Sequence, residues 1–323
     1  KNATLFIGGR NERRSSLSKI DEVLIEINQV VKGKEVVVRK VLAAMLAEGH
    51  ILLEDIPGVG KTTLAMTIAK TMSMDYKRTQ FTPDVLPSDI LGFSMYNSQT
   101  KEFEYKPGSV FCNLFLADEI NRTSPKTQSA LLEVMEEGNV TVDGVTRKLP
   151  TPFTVIATEN PLGSAGTQML PESQLDRFMV CLSMGYPSHE DAVEILKGNA
   201  AKPLSHVKAV ISREEFADLQ KQVSDLYVHE MIYGYITTLV EKTRESQFIS
   251  LGASPRGSIA LLRMAKATAF MNHRDYVSPE DVEEIFRDTL GHRIKLSTQA
   301  RAAGMDQAAV LKKIFDSVEA PRT

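Results

Sequence analysis

A glycine-rich turn lies between a short apolar strand and a helix, and it carries side chains suited to binding phosphate. The run Ile51-Leu52-Leu53 precedes the turn, and a helical stretch continues from Lys61 through Met72. Amide groups at the start of a helix are unsatisfied, and glycines let the chain wrap closely around an anion. We therefore predict a nucleotide phosphate loop, in which Lys61 reaches the β- and γ-phosphates and Thr62 supplies a hydroxyl to Mg²⁺. The predicted nucleotide-binding residues are Pro57, Gly58, Val59, Gly60, Lys61, Thr62 and Thr63.

One position departs from the strict phosphate-loop pattern G-x-x-x-x-G-K-[ST]. Where the pattern begins with glycine, this chain has Asp55. The residues that carry the phosphate chemistry, Gly58, Gly60, Lys61 and Thr62, are all present. We therefore retain the phosphate loop and expect Asp55 to serve its geometry.

Polar side chains follow two further apolar strands. The strand 113–117 ends in Asp118 and Glu119, and the strand 153–158 is followed by Glu159 and Asn160. An ATPase needs a carboxylate for Mg²⁺ and a group that positions the attacking water. We predict that Asp118 holds Mg²⁺ through water, that Glu119 polarises the water, and that Asn160 hydrogen-bonds the γ-phosphate or the water.

Two arginines complete the predicted site. Arg177 lies just before the fifth strand, where it could project from a subunit edge toward a neighbour's nucleotide as an arginine finger. The alternative for Arg177 is an ion pair with Asp176. Arg256 begins a helix after Ser254-Pro255, from which it could reach the phosphates and report nucleotide state to the helices around it.

These residues require a sheet that aligns the ends of several strands. The β-like runs near 51–53, 76–81, 113–117, 153–158 and 179–184 alternate with helical segments, which is typical of a mostly parallel sheet with helices on both faces. After Tyr186-Pro187 the chain shows helical windows and no convincing strand. We predict a flexible N-terminal arm (1–19), an α/β nucleotide-binding core (20–186) and an all-α lid (187–323). Hairpins are predicted at about 90–110 and 139–150, the second around Asp143-Gly144.

Composition and charge narrow the class of protein. The chain has 323 residues, of which 42% are hydrophobic and 24% charged, and a formal charge of −3. These values favour an ordinary soluble globular protein over a disordered, fibrous or membrane protein. Residues 1–185 and 186–323 each hold slightly more acidic than basic side chains, so neither part has the positive field that non-specific nucleic-acid binding uses.

The location in the cell is predicted from three features. No apolar run approaches the roughly 18–20 residues of a membrane span, and the first residues lack the pattern of a signal peptide. Cys112 and Cys181 lie among apolar neighbours, 69 positions apart, which indicates buried thiols rather than a disulfide or metal pair. We therefore expect a cytoplasmic protein.

With these residues in order, the chain resembles the AAA+ ATPases and, within them, the MoxR family. Its Walker A motif is Gly58-Val-Gly-Lys-Thr62, its Walker B motif is Leu114-Phe-Leu-Ala-Asp-Glu119, its sensor 1 is Asn160 and its sensor 2 arginine is Arg256. The more specific likeness lies in Leu116-Ala-Asp-Glu-Ile-Asn-Arg122 with Pro125-Lys-Thr-Gln-Ser-Ala-Leu-Leu-Glu133, in Gln80-Phe-Thr-Pro-Asp-Val-Leu-Pro-Ser-Asp89 and in Leu170-Pro-Glu-Ser-Gln-Leu-Asp-Arg-Phe178.

The resemblance implies an architecture and a partner. It implies the strand order 5-1-4-3-2, a hexameric ring with nucleotide between subunits, and two hairpin inserts that face the ring axis or one ring surface, where substrate is engaged. In this family the partner is often a protein with a von Willebrand factor A (VWA) domain bearing a metal-ion adhesion site. The family usually has glutamine before the sensor 1 asparagine, whereas this chain has Glu159, to which we assign no role.

Our leading hypothesis is an Mg²⁺-dependent ATPase that remodels a partner protein, either to mature it or to insert its metal or cofactor. Three alternatives remain open at this point. They are a nucleic-acid-dependent motor, the ATPase subunit of a magnesium chelatase, and a scaffold that binds ATP but barely hydrolyses it. The balanced charge of both parts of the chain argues against the motor.

Overall fold

The computed structural model describes residues 19–55, 58–160, 168–197 and 203–321. Its strands in chain order are β1 (Ile51–Glu54), β2 (Tyr76–Gln80), β3 (Gly92–Asn97), β4 (Glu102–Pro107), β5 (Leu114–Asp118), β6 (Asn139–Val142), β7 (Val145–Lys148), β8 (Thr154–Glu159), β9 (Val180–Leu182), β10 (Ile249–Leu251) and β11 (Lys295–Leu296). The predicted N-terminal arm lies outside the described residues, apart from Lys19.

The helices surround the strands and make up most of the C-terminal part. They are α1 (19–28), α2 (Glu35–Leu46), α3 (Lys61–Thr71), α4 (Pro87–Leu91), α5 (Pro125–Glu137), α6 (Glu172–Leu175), α7 (His189–Leu196), α8 (Arg213–Ser224), α9 (Glu230–Glu245), α10 (Pro255–Met271), α11 (Pro279–Leu290), α12 (Thr298–Ala302) and α13 (Gln307–Asp316). None of the described helices is long and apolar enough to cross a membrane.

The central sheet has five parallel strands in the order β2-β5-β8-β1-β9. If these five strands are renumbered 1 to 5 in chain order, the sheet reads 2-3-4-1-5. This is the predicted order 5-1-4-3-2 in reverse. Residues 114–117 of β5 are fully buried, as expected for a parallel sheet that is covered on both faces. Because the strands are parallel, the residues that follow β1, β5 and β8 meet at the carboxyl ends of the strands. We call this end of the sheet, which carries the phosphate loop, the loop edge.

Both predicted hairpins are present and they contact each other. β3 pairs with β4 and β6 with β7, each antiparallel. The turn between β6 and β7 has φ of 54° at Asp143 and 73° at Gly144, the conformation that favours an Asp-Gly turn. The Arg147 guanidinium lies 3.8 Å from the centroid of the Tyr105 ring, a cation–π contact that joins the second hairpin to the first.

The C-terminal part follows the predicted helical pattern with one exception. The helix α10 begins after Ser254, whose hydroxyl accepts a hydrogen bond from the Arg256 amide, and the Ser278–Asp281 capping box begins α11. The prediction of a wholly helical lid missed the antiparallel pair β10–β11. These strands have three and two residues, too few to show an alternating pattern in the sequence.

Candidate nucleotide-binding site

The phosphate loop leaves open space in front of Gly58. Gly58 and Gly60 have φ of 86° and 96°, in the left-handed region that glycine adopts without strain, and a Cβ added to Gly58 would meet no atom within 4 Å. Lys61 and Thr62 lie in the first turn of α3, so the amides there face the same space. Pro57 falls outside the described residues.

Lys61 is buried beside acidic groups. Its Nζ donates a hydrogen bond to the Asp55 carbonyl oxygen at 2.8 Å. Burial lowers the pKa of Lys61, and the nearby carboxylates of Asp55, Asp118 and Glu119 oppose that shift. The ammonium group can therefore exchange its hydrogen bond to the Asp55 carbonyl for hydrogen bonds to phosphate oxygens.

The Asp55 side chain binds the residues that follow β9. Its carboxylate accepts hydrogen bonds from the Ser183 hydroxyl at 2.8 Å, from the Gly185 amide at 3.1 Å and from the Met184 amide. From the other side, the Lys34 Nζ donates to the Gly185 carbonyl at 3.1 Å and to the Tyr186 carbonyl at 2.7 Å. The residue that breaks the phosphate-loop pattern thus attaches the loop to the segment 183–186.

Asp118 lies at the carboxyl end of β5, between the two neighbouring strands. It accepts a hydrogen bond from the Thr158 hydroxyl on β8 at 2.6 Å and forms an ion pair with Arg78 on β2, also at 2.6 Å. Both partners hold the carboxylate at the end of β5. This is the position in which a carboxylate can hold the water shell of Mg²⁺.

Glu119 is held by three side chains and a strained backbone. Its backbone is left-handed, with φ of 57° and ψ of 48°, which is unusual for a residue other than glycine. Its carboxylate accepts hydrogen bonds from Gln80 at 2.8 Å, from Arg122 at 2.7 Å and from Asn160 at 2.8 Å. Burial alone would raise the pKa of Glu119, but the hydrogen bonds from Arg122 and Asn160 outweigh it and lower the pKa. The carboxylate is therefore ionised at neutral pH.

The arrangement fits a magnesium nucleotide. Open space lies in front of Gly58, the Lys61 ammonium is adjacent, and the carboxylates of Asp118 and Glu119 come from the end of β5, which is separated from β1 by β8. Hard oxygen ligands of this kind suit Mg²⁺, with Thr62 and Asp118 as its predicted holders. Asn160 is 8% exposed and its amide contacts Glu119, so the structure brings the predicted sensor and the predicted base together.

Sequence reasoning missed four residues of this constellation. Arg78, Gln80, Arg122 and Thr158 contact Asp118 or Glu119, and none was predicted as part of the site. Arg78 and Gln80 alternate along β2, and Gln80 is the register partner of Asp118. The sequence did contain a signal, since polar residues recur at the end of β2. That signal becomes informative only once β2 is known to lie beside β5, which carries Asp118.

The two arginines predicted to act on phosphates lie together near the amino ends of the strands, opposite the loop edge. Arg177 precedes β9, which runs parallel to β1 with Val180 beside Ile51, whereas the phosphate loop follows the other end of β1. Arg177 and Arg256 both form ion pairs with Glu136 at the end of α5. In this structure Arg256 therefore contacts Glu136 rather than the phosphate loop of its own chain, and the catalytic roles of both arginines remain predictions.

Glu159 lies beside another carboxylate at the loop edge. It is the register partner of Glu54 on β1. Burial, reinforced by the Glu54 charge, raises the pKa of Glu159 to about 7. The extra carboxylate noted in the sequence is therefore largely protonated in mildly acidic solution and becomes charged at higher pH.

Replacing Glu159 with glutamine is expected to stabilise the fold more at pH 8 than at pH 5. The unfolded carboxyl ionises near pH 4.5 and the folded one near 7, so folding stability falls as pH rises between these values and stays reduced above them. At pH 8 we expect Glu159→Gln to raise the free energy of unfolding by about 1–2 kcal/mol, after allowance for solvent screening. Denaturant titrations at pH 8 and pH 5 test this, with the exposed Glu133→Gln as control. A gain of equal size at both pH values would show that ionisation is not the cause.

Comparison with known proteins agrees with this architecture. Residues 50–180 match the family described as ATPase family associated with various cellular activities (AAA), and residues 241–314 match the AAA lid domain. The chain is 50% identical over 296 residues to the uncharacterized protein YeaC of Bacillus subtilis, spanning 91% of this chain and 92% of that one. It is 36% identical over 324 residues to the chaperone MoxR1 of Mycobacterium tuberculosis, spanning 98% and 86%. A crystal structure of a protein from Cytophaga hutchinsonii superposes with a TM-score of 0.91 at 38% identity, covering 98% of this chain and 99% of that chain.

The strand order, the phosphate loop and the adjoining helical lid define an AAA+ ATPase, an enzyme that hydrolyses ATP. The fold class predicted from the sequence is confirmed. The likeness to MoxR1 extends over almost the whole of this chain. The chain belongs to the MoxR family of AAA+ ATPases.

Proposed function

We propose that this chain is the subunit of an Mg²⁺-dependent ATPase ring that remodels a protein client in the cytoplasm. The observation that carries the proposal is the separation of two sets of residues. The phosphate loop and its carboxylates lie at one edge of the sheet, and Arg177 and Arg256 lie together at the other. A head-to-tail ring, the hexamer implied by the family, brings the second set of one subunit to the first set of its neighbour.

Each residue of the loop edge has a role in this proposal. Bound Mg²⁺ would neutralise charge on the β- and γ-phosphates. Lys61 would leave the Asp55 carbonyl to bind phosphate oxygens, while the Thr62 hydroxyl and the Asp118 carboxylate would hold the metal and its waters. Glu119 and Asn160, already in contact, orient the attacking water, and Glu119 takes its proton.

Glu119 keeps an acceptor position for the attacking water, because its carboxylate has about four lone-pair sites and accepts three hydrogen bonds. Its two oxygens accept from Gln80, Arg122 and Asn160. Gln80 and Arg122 both bind Oε2, so we assign them the role of orienting the base toward the water.

The hairpins offer a surface for a protein client. Tyr96 and Phe103 pack edge to face at the end of the first hairpin, with ring centroids 5.5 Å apart, yet Phe103 is 76% exposed. Phe93 and Met95 on the same strand as Tyr96 are also exposed. Exposed aromatic side chains are typical of protein recognition surfaces. A relative named as a chaperone supports a protein client. The family resemblance supports a VWA-domain partner, whose maturation or metal insertion would be the outcome.

The proposed function is tested by comparing what stimulates the ATPase. We expect turnover by the purified ring to require Mg²⁺, to stop with EDTA, and to rise several-fold with a saturating VWA-domain protein. Duplex or single-stranded DNA should have no effect. Stimulation by DNA alone would instead support the nucleic-acid motor, and porphyrin-dependent Mg²⁺ insertion would support the chelatase.

Replacing Phe103 with alanine is expected to abolish stimulation by the client while leaving basal ATPase activity within about twofold. The side chain is exposed, so its removal should change folding stability by no more than about 0.5 kcal/mol. The measurement is ATPase rate against client concentration, and the matched control is Tyr276→Ala, an exposed aromatic residue of the lid. Normal stimulation of the Phe103 variant would place the client elsewhere.

A further inference from the structure

Arg293 belongs to the lid, but its guanidinium binds the segment that carries Arg177. Its side chain is 2% exposed. Its Nε donates to the Asp176 carboxylate at 2.9 Å, its Nη2 to the carbonyls of Phe178 at 2.6 Å and Asp176 at 3.1 Å, and its Nη1 to the Met179 carbonyl at 3.2 Å. Burial lowers the pKa of Arg293 to about 10 against the opposing effect of Asp176, so the group is charged at neutral pH.

Other lid side chains fix the same segment. The Ser254 hydroxyl, which also caps α10, donates to the second oxygen of the Asp176 carboxylate at 2.7 Å. The Nε2 of His292 lies 3.0 Å from the Phe178 carbonyl oxygen and 2.8 Å from the Arg293 Nη1. The chain on both sides of Arg177 is therefore attached to the lid at two places, by Ser254 at the start of α10 and by Arg293 after the end of α11.

The Arg177 side chain itself is left available. It is 29% exposed and meets Glu136 only as an ion pair at 3.3 Å, and its Nε has no hydrogen-bond acceptor among the described residues. It borders a surface pocket of about 170 Å³ whose charged lining consists of Arg177, Arg256, Arg263, Arg293, Glu136 and Asp176. Four cations against two carboxylates leave this pocket with a positive balance, which suits an incoming phosphate group.

We propose that Arg293 is a positioning residue for Arg177, so that the lid of one subunit holds the arginine that acts on the nucleotide of the next. The inference rests on the proposed trans role of Arg177. A change in the orientation of the lid would move the segment 176–179 through the Arg293 hydrogen bonds. The resulting change in the position of Arg177 would alter hydrolysis at the ATP site of the neighbouring subunit, and not at the site of the same chain.

The test is complementation between two defective subunits. Arg293→Lys keeps the charge but loses the forked hydrogen bonds, and we expect the ATPase rate of its ring to fall about 10²-fold through misplacement of Arg177. Mixing it with Glu119→Gln subunits should restore activity, because those subunits lack the base but supply a correctly held Arg177 to the intact Arg293→Lys sites. Arg301→Lys, an exposed lid arginine that donates to the Leu296 carbonyl and lies outside this pocket, is the matched control and should retain activity.

Two readouts besides turnover accompany the mixing experiment. The affinity of the Arg293→Lys chain for a fluorescent ATP analogue should stay within about threefold of wild type. Hydrogen exchange of the amides in 176–179 should rise, with no change in the phosphate loop. If Arg293→Lys does not fold, Asp176→Asn weakens the same contact from the other side and carries the same test.

The mixing experiment distinguishes the positioning role of Arg293 from the trans role of Arg177. Restoration of both Arg293→Lys and Arg177→Ala by Glu119→Gln subunits supports the inference. Restoration of Arg177→Ala alone overturns it, because Arg293 then acts on its own subunit, and wild-type turnover by the Arg293→Lys ring overturns it as well. If Arg177→Ala is not restored, the trans role of Arg177 fails and the inference fails with it.

Discussion

Replacing Arg177 with alanine is expected to lower the ATPase rate of the assembled ring by about 10³–10⁵-fold, the range of trans-acting arginine fingers. The reason is geometric. Arg177 lies at the edge of the sheet where β9 begins, and the phosphate loop of the same chain lies at the other end of the adjacent strand β1. Nucleotide affinity of the isolated chain should therefore be unchanged. The measurements are turnover by phosphate release and binding of an ATP analogue, each on purified variant protein.

The matched control for Arg177→Ala is again Arg301→Lys, which should hydrolyse ATP at the wild-type rate. If Arg177 only formed a structural ion pair with Glu136, its removal would change the melting temperature and leave turnover nearly intact. That result would contradict the trans role. A loss of ATP affinity in the isolated chain would contradict it equally, because it would place Arg177 at its own nucleotide.

Replacing Glu119 with glutamine is expected to lower the rate of hydrolysis by about 10²–10⁴-fold, the usual contribution of a general base. Binding should survive, because the Lys61 ammonium and the glycines of the loop are not altered. The variant should therefore remain loaded with ATP and retain a client that wild type releases. Single-turnover hydrolysis and retention of the nucleotide on a desalting column measure the two effects.

The exposed Glu133→Gln, on α5, is the matched control for Glu119→Gln and should behave as wild type. Wild-type hydrolysis by Glu119→Gln would show that another group takes the proton from water. A loss of nucleotide binding instead would show that the Glu119 charge also sets the position of Lys61, whose pKa it helps to raise against burial.

The sequence predicted most of the fold because the decisive signals are local. Apolar strands such as 114–117, the glycines before Lys61 and the proline-initiated helix at 255 each act within a few neighbouring residues. The grouping of Asp118, Glu119 and Asn160 followed from the rule that parallel strands align their carboxyl ends.

What the sequence did not reveal depends on packing between distant segments. The Gln80 contact with Glu119 requires β2 to lie beside β5 in one register, and a shift of one residue would turn Gln80 to the other face. The pairing of Arg256 with Glu136, and the bonds from Arg293 to residues 176–179, depend on how the lid packs against the sheet. Charge and periodicity contain no information on that packing, so these residues could be found only in three dimensions.

The hydrogen bonds around Asp55 have a consequence for where the lid can pivot. Segment 183–186 is attached through its amides to the phosphate loop and through its carbonyls to Lys34, just before α2. We therefore expect a rotation of the lid to change backbone torsions beyond Tyr186, in the short stretch before α7. Gly185 is not the expected hinge, since its amide and its carbonyl are both hydrogen-bonded to the core.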